Sequence, residues 1–181
     1  MLPNVTIDID EQDFASMTRA LNLTEKRIYA AAYRAIRKTS MWVRTHLART
    51  LSKELQIVQK IIRQRLRVYM QDRRALQGKV WLGMYKIRAS RLGHARQTRA
   101  GVNVGRRRFP GSFVAKMPTG HIDVFTRRGK SRLPIDIEQL DISEEAKQAM
   151  EEISLKTDKR LQAVMEQEIN YEIERTLGRA D

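Results

Sequence analysis

Two turn signals, Pro110-Gly111 and Pro118-Thr119-Gly120, punctuate an apolar–polar alternation that runs from Phe109 to Thr126. A period of two sends successive side chains to opposite faces of an extended chain, so the alternation reads as strand. Proline fixes φ and removes a backbone donor, while glycine reaches positive φ without a Cβ clash, which is what tight turns require. Phe109–Met117 and His121–Thr126 are therefore expected to pair as a hairpin across Pro118 and Gly120, with Pro110 and Gly111 setting a second, structural turn. Pro134–Ile142 adds a strand with Ile135, Ile137 and Leu140 turned inward.

Helical periodicity surrounds this region. Asp10 to Leu21 has Phe14, Met17 and Leu21 at helical spacing, and Asn22 or Thr24 is placed to cap the next helix. From Glu25 to about Thr50, Ile28, Ala31, Ala32, Ala35, Thr39, Trp42, Val43, His46 and Leu47 fall on one stripe of a long amphipathic helix. Its alanines imply close approach to another backbone, in a helix or a sheet. Ser52 is placed to cap a second helix with Leu55, Val58, Ile61, Ile62 and Leu66 on its apolar face and Lys60, Arg63 and Arg67 on its basic one.

Gly78 to Arg88 then alternates like a strand, its glycine marking a bulge. Residues 90–105 are rich in Gly and Arg and read as a long mobile loop. Ser143 opens a final helix with Glu144 and Glu145 in its first turn, a stripe of Met150, Ile153, Leu161, Val164, Met165 and Ile169, and Gly178 as its C-cap. Residues 1–10 are either an arm or an edge strand. Helices, then strands, then a helix make the class α+β: N-terminal helices, a small mainly antiparallel sheet with a long basic loop, and a C-terminal helix. At 181 residues, one domain over 1–181 is expected.

The net charge of +14 is unevenly placed. Residues 60–132 carry 20 basic and 2 acidic side chains, net +18, whereas residues 133–181 carry 6 basic and 13 acidic, net −7. Two basic clusters, Arg106-Arg107-Arg108 and Arg127, Arg128, Lys130 and Arg132, flank the hairpin with no acid close to either. Such a field favours a polyanion, an acidic protein surface, or the acidic segment of a neighbouring copy.

Chemistry is less well supplied. The chain has no cysteine, which excludes disulfides, thiolate catalysis and thiolate zinc sites. His46, His94 and His121 occur singly, without a metal-ligand spacing, and no cofactor is expected. Asp136 and Glu138 share a strand face, but read as salt-bridge partners of the nearby arginines more readily than as a nuclease Mg²⁺ pair. Ser112 and Ser131 lack a histidine and acid in context, so no enzyme is expected. Tyr85, Phe109, Phe113 and Phe125 are expected in the core, not as stacking platforms for bases. The opening segment carries early acids and no long apolar run, so neither a signal peptide nor a membrane span is expected.

The same central stretch carries a resemblance. Arg107-Arg108-Phe109-Pro110-Gly111-Ser112-Phe113, then Gly120-His121-Ile122-Asp123-Val124-Phe125, then Arg127 to Asp136 with Gly129-Lys130 and Leu133-Pro134-Ile135, resembles the signature region of the prophage minor tail protein Z family of long-tailed phages. The resemblance implies a non-enzymatic virion protein that completes the head-proximal end of the tail, assembled in the host cytoplasm. It further implies a ring, six-fold in related tail-completion proteins, around the DNA channel. The implied partners are further copies of the chain, the tail terminator, tail tube or head-tail connector proteins, and genomic DNA contacted without sequence preference. In that setting the seven basic residues of the two clusters would face DNA or an acidic partner. A sequence-independent nucleic-acid-binding protein of the cytosol is the alternative that the charge alone permits.

Overall fold

The computed structural model describes residues 4–10, 12, 14–16, 24–71 and 76–177. Met17, Leu21, Asn22 and Gly178, expected at helix or cap positions, lie outside the described residues. The α+β class is found. The chain divides into two compact units of discontinuous segments: Met1–Leu47, Leu66–Leu82 and Gln148–Asp181 in the first, Ala48–Arg65 and Gly83–Lys147 in the second.

In the first unit, β1 (Asn4–Asp8), β2 (Leu66–Met70) and β3 (Gln77–Leu82) form an antiparallel sheet in the order β1-β3-β2, so the N-terminal segment is an edge strand. The long helix α1 (Glu25–Glu54) contributes Ile28, Ala31, Ala32, Ala35, Ile36 and Val43 to the core, all essentially inaccessible to solvent. The close approach implied by its alanines is made to the sheet. A Cβ placed on Gly78 of β3 would lie 2.6 Å from Ser40 Oγ and 2.8 Å from Ile36 Cγ2. Gly78 is thus a contact point in a regular strand and not the expected bulge, since its register through Met70 and Ile7 is unbroken.

The C-terminal helix α3 (Ser143–Leu177) starts where expected. Asp141 Oδ1 accepts from the Ser143 amide at 3.0 Å and from its hydroxyl at 2.6 Å, satisfying groups at the helix start. Met150, Ile153, Val164 and Met165 are buried on its apolar stripe. Two carboxylates share that stripe. Glu168 and Glu172 are buried and one turn apart, facing Arg34 and Lys38 of α1: Arg34 Nε donates to Glu168 at 2.5 Å, Arg34 Nη2 to Glu172 at 2.7 Å, and Lys38 reaches Glu168 at 2.5 Å. Part of the acidic excess expected to serve a neighbouring copy is therefore neutralised within its own unit.

In the second unit the expected helix from Ser52 to Leu66 is broken. Ser52 lies inside α1 and donates to Ile57 O at 2.6 Å. Gln56 takes a left-handed φ of 54°, the Ile57 amide bonds Ser52 O at 3.2 Å and the Gln56 amide bonds Lys53 O at 3.4 Å. That pair is a Schellman ending, which usually uses glycine. Only a short helix α2 (Gln59–Arg63) follows; Val58 is exposed and Leu66 opens β2. Gln56→Gly is expected to raise stability by about 1 kcal/mol by relieving the left-handed side chain, which urea unfolding would measure.

The remaining strands of this unit form three small antiparallel sheets instead of one. β4 (Ile87–Arg88) pairs with β11 (Gln139–Leu140); β5 (Ala95–Thr98), β6 (Gly101–Val104) and β7 (Arg107–Pro110) form a meander; β8 (Phe113–Lys116), β9 (Ile122–Arg127) and β10 (Ile135–Ile137) form another. The expected hairpin across Pro118 and Gly120 is β8–β9, with Gly120 at φ 83° and the Met117 amide bonded to His121 O at 2.7 Å. Phe109 belongs to the neighbouring sheet, because Pro110-Gly111 separates β7 from β8. The 90–105 stretch is not a loop: a 3-10 turn (Ala89–Leu92) leads into β5 and β6. Gln97 ties the two meanders, its Oε1 accepting from the Val114 amide at 2.9 Å and its Nε2 donating to Gly101 O at 3.1 Å.

Candidate functional site

The basic residues of the second unit are set by strand register. Across the first meander, Ala95, Val104 and Arg107 form one cross-strand row, and Arg96, Asn103 and Arg108 form the next. Adjacent rows face opposite ways. The face carrying Val102, Val104 and Phe109 is buried, so Arg96 and Arg108 project from the other with Asn103 between them. Val104 pairs with Arg107 across the two-residue turn Gly105-Arg106, with Gly105 at φ 58°, and Arg106 is exposed at its tip.

Arg107 differs from its two neighbours. Half-buried, it donates from Nε to Leu55 O at 2.6 Å, satisfying a carbonyl at the end of α1 where a cation is favoured. It holds the meander to the helix end.

A recess of about 690 Å³ opens beside this turn, and its lining includes Arg49, Lys53, Gln56, Gln59 and Arg106. Arg49 and Lys53 are one turn apart on α1, so the three cations converge from separate elements. Neither Arg49 nor Lys53 is among the basic residues expected at a functional surface from the sequence. Their i, i+4 spacing at a helix C-terminal turn was the available signal.

The second cluster lies at and beyond the end of β9. Arg127 is over the Phe113 ring at 5.2 Å. Arg128 forms a two-pronged pair with Asp136, at 2.6 and 2.9 Å, across the β9–β10 register. Hydrogen bonding to Arg128 holds the Asp136 carboxyl below its ordinary range. The expectation of no nearby acid therefore fails at this point, while the expected salt-bridge role of Asp136 is realised. Glu138 instead accepts from buried Ser112 at 3.3 Å. Lys130 and Arg132 are exposed, and with Arg106 and Arg108 they have no ion pair among the described residues.

Of the aromatics expected in the core, Phe109 and Phe125 are buried and Phe113 is partly covered. Tyr85 is exposed, so that expectation fails: its ring lies under the Arg65 guanidinium at 3.9 Å. His46 bonds Trp42 O at 3.0 Å, and His94 is exposed. His121 Nε2 lies 3.0 Å from Asp123, which is buried and also bonded by Ser90 and the Val124 amide. Burial pushes the Asp123 carboxyl up, but these three bonds outweigh it and hold it below its ordinary value. Ser90 bonds the acid and not the histidine, so the order of a nucleophilic triad is not formed.

Among the described residues no group of three or more histidine or acidic side chains is placed to hold a metal ion. No helix among them is long and apolar enough to cross a membrane.

The surface therefore offers exposed cations on short, well-registered strands and on the turns and bends that follow them. A family model described as Prophage minor tail protein Z (GPZ) matches residues 16–179, which include all of the second unit, most of the first and both basic clusters. No curated protein matches the chain. No solved structure does either. With the family match extending over nearly all of its 181 residues, the chain belongs to the prophage minor tail protein Z family and is a structural protein of the phage tail.

Proposed function

We propose that the protein is non-enzymatic, completes the head-proximal end of the tail, and assembles there as a ring around the DNA channel. It joins the tail after assembly in the host cytoplasm. The observation that carries the reading is the set of exposed cations, Arg106, Arg108, Lys130 and Arg132, without ion pairs among the described residues. An internal counter-charge would mark them as structural, as Asp136 does for Arg128. Turned toward a channel, they attract phosphate at any sequence, as transit of a whole genome requires.

A ring closes through head-to-tail contacts, which join two different surfaces of the same chain. The exposed acids of α3, among them Glu151, Asp158 and Glu166, supply one surface of suitable charge for the basic residues of the next copy. Tail terminator, tail tube or connector proteins complete the contacts along the tail axis.

Binding of the purified protein to a short DNA duplex, measured over a range of salt concentrations, tests the DNA-facing role. Affinity is expected to fall steeply with salt and to be indifferent to sequence. Replacing Arg106, Arg108, Lys130 and Arg132 together by glutamine should reduce the log–log slope by about 0.9 for each cation in contact. An unchanged slope in the quadruple variant would remove these residues from the DNA contact.

A further inference from the structure

Arg65 is an unusual cation in the second unit. It follows the short helix α2 and is only 7% exposed. Its Nη1 is held by two carbonyls, Tyr85 O at 2.6 Å and Gly83 O at 3.3 Å, and its guanidinium lies over the Tyr85 ring at 3.9 Å. Its own carbonyl accepts from the Gly83 amide at 3.0 Å. These contacts fix the orientation of the group and supply no negative charge.

No carboxylate lies within ion-pair distance of Arg65 among the described residues. Its charged neighbour is a second cation, Arg91. Burial lowers the Arg65 pKa, the charge interaction with the Tyr85 phenol opposes that shift, and Arg91 adds to it. Burying a cation without a counter-charge is costly, and a like-charged neighbour increases the cost.

The free edge of the guanidinium shows where a counter-charge would enter. Nε and Nη2 have no hydrogen-bond partner among the described residues, and neither is sealed from solvent. Arg65 itself lines a recess of about 400 Å³, together with Ile61, Gln64, Tyr85, Ile87 and Arg91. An Nε–Nη2 edge presents two parallel N–H groups at the spacing of a carboxylate's oxygens. Arg91, which is exposed, and Gln64 add polar groups to the lining of the same recess.

We propose that this recess is a docking pocket for a side-chain carboxylate, an aspartate or glutamate presented by another protein of the tail. Depth favours this ligand over duplex DNA. A duplex backbone is broad and reaches cations as exposed as Arg106 and Arg108, whereas a guanidinium 7% exposed is reached by a single side chain on a flexible stem. Two-pronged pairing also discriminates by geometry, so the pocket selects a carboxylate and rejects its amide isostere.

The test uses the full chain and two tripeptides, acetyl-Ala-Glu-Ala-amide and its glutamine counterpart, titrated at constant ionic strength with NMR detection. The glutamate peptide should saturably shift the Arg65 Nε–H and Tyr85 ring signals, and the glutamine peptide should not. Removal of Arg65 would disturb folding, so Arg91→Ala carries the test of charge. It is expected to weaken the glutamate peptide about tenfold, a size typical of a partly desolvated charge contact, and Arg91→Lys should restore part of the loss. No saturable shift, an equal response to the glutamine peptide, or no effect of Arg91→Ala would overturn the proposal. Tighter binding of inorganic phosphate or a DNA duplex than of the glutamate peptide at these signals would overturn it in favour of a phosphate site.

Discussion

Replacing Arg34 by methionine is expected to lower the stability of the folded chain by about 3 kcal/mol, because it strands two buried carboxylates. Glu168 and Glu172 have side-chain exposures of 5% and 2%, and among the described residues Arg34 alone is hydrogen-bonded to both. After its removal Glu168 keeps Lys38, but among the described residues Glu172 keeps only Arg175, at 4.0 Å, and its Oε2 already has no hydrogen-bond partner there. Arg34 itself is one-third exposed, so solvent screens part of the attraction and the lower end of the range for broken buried pairs applies. Methionine keeps the length of the apolar stem, which separates the charge effect from a packing loss.

Replacing Arg34, Glu168 and Glu172 together by apolar residues of similar volume should recover most of the loss, since a buried ion cluster contributes little beyond its own desolvation. Acid should act in the same direction as Arg34→Met. Burial pushes the Glu168 carboxyl up, but hydrogen bonds from Lys38 and Arg34 outweigh it and hold it below its ordinary value of 4.5. Its contribution is therefore present above about pH 4.5 and is lost as pH falls through the lower folded-state value. Chemical unfolding at neutral and acidic pH should show a smaller difference in Arg34→Met than in the unaltered chain.

Gly101→Val is expected to cost about 3 kcal/mol and to weaken DNA binding although it removes no charge. Gly101 has φ 143°, which L side chains rarely adopt. A Cβ there would run into Phe109 O, and would lie 2.9 Å from both the Gly111 amide nitrogen and Pro110 Cα. All three atoms belong to backbone, so no side-chain rotation relieves the clash. Gly101 pairs with Pro110 at the end of the β6–β7 ladder, and the Gly111 amide donates to Ala100 O at 2.9 Å beside it. Forcing these strands apart disturbs the register that sends Arg108 outward and Arg107 to the helix end. Calorimetry would measure the loss of stability, and the duplex-binding assay would measure the loss of presentation.

The parts of this fold that were legible in the sequence are those where one local signal decides. The β8–β9 hairpin follows from Pro118 and Gly120 between alternating runs, and α1 follows from a 3.6-residue stripe too long for any competing period. The 90–105 hairpin was not legible, because β5 reads Ala-Arg-Gln-Thr and has no apolar alternation. Its order depends on pairing with Val102 and Val104 and on the Gln97 bonds, all tertiary. A helix after Ser52 was expected because an unbroken 3.6-residue pattern gives no warning that Gln56 turns left-handed.

The candidate site divides in the same way. Basic clusters are plain in a sequence, but their separation into exposed Arg106 and Arg108, helix-capping Arg107 and acid-paired Arg128 depends on strand register. Glu168 and Glu172 had a usable signal, two acids one turn apart on an apolar stripe, which overall charge counting obscured. The Arg65 recess had none. Its character comes from what does not surround it.

Imaging of purified tails by electron cryomicroscopy would decide the proposed role. A closed ring of this chain is expected at the head-proximal end of the tail, with Arg106, Arg108, Lys130 and Arg132 lining the lumen. Density for the chain elsewhere on the tail, or a terminal ring with these residues turned away from the lumen, would contradict it.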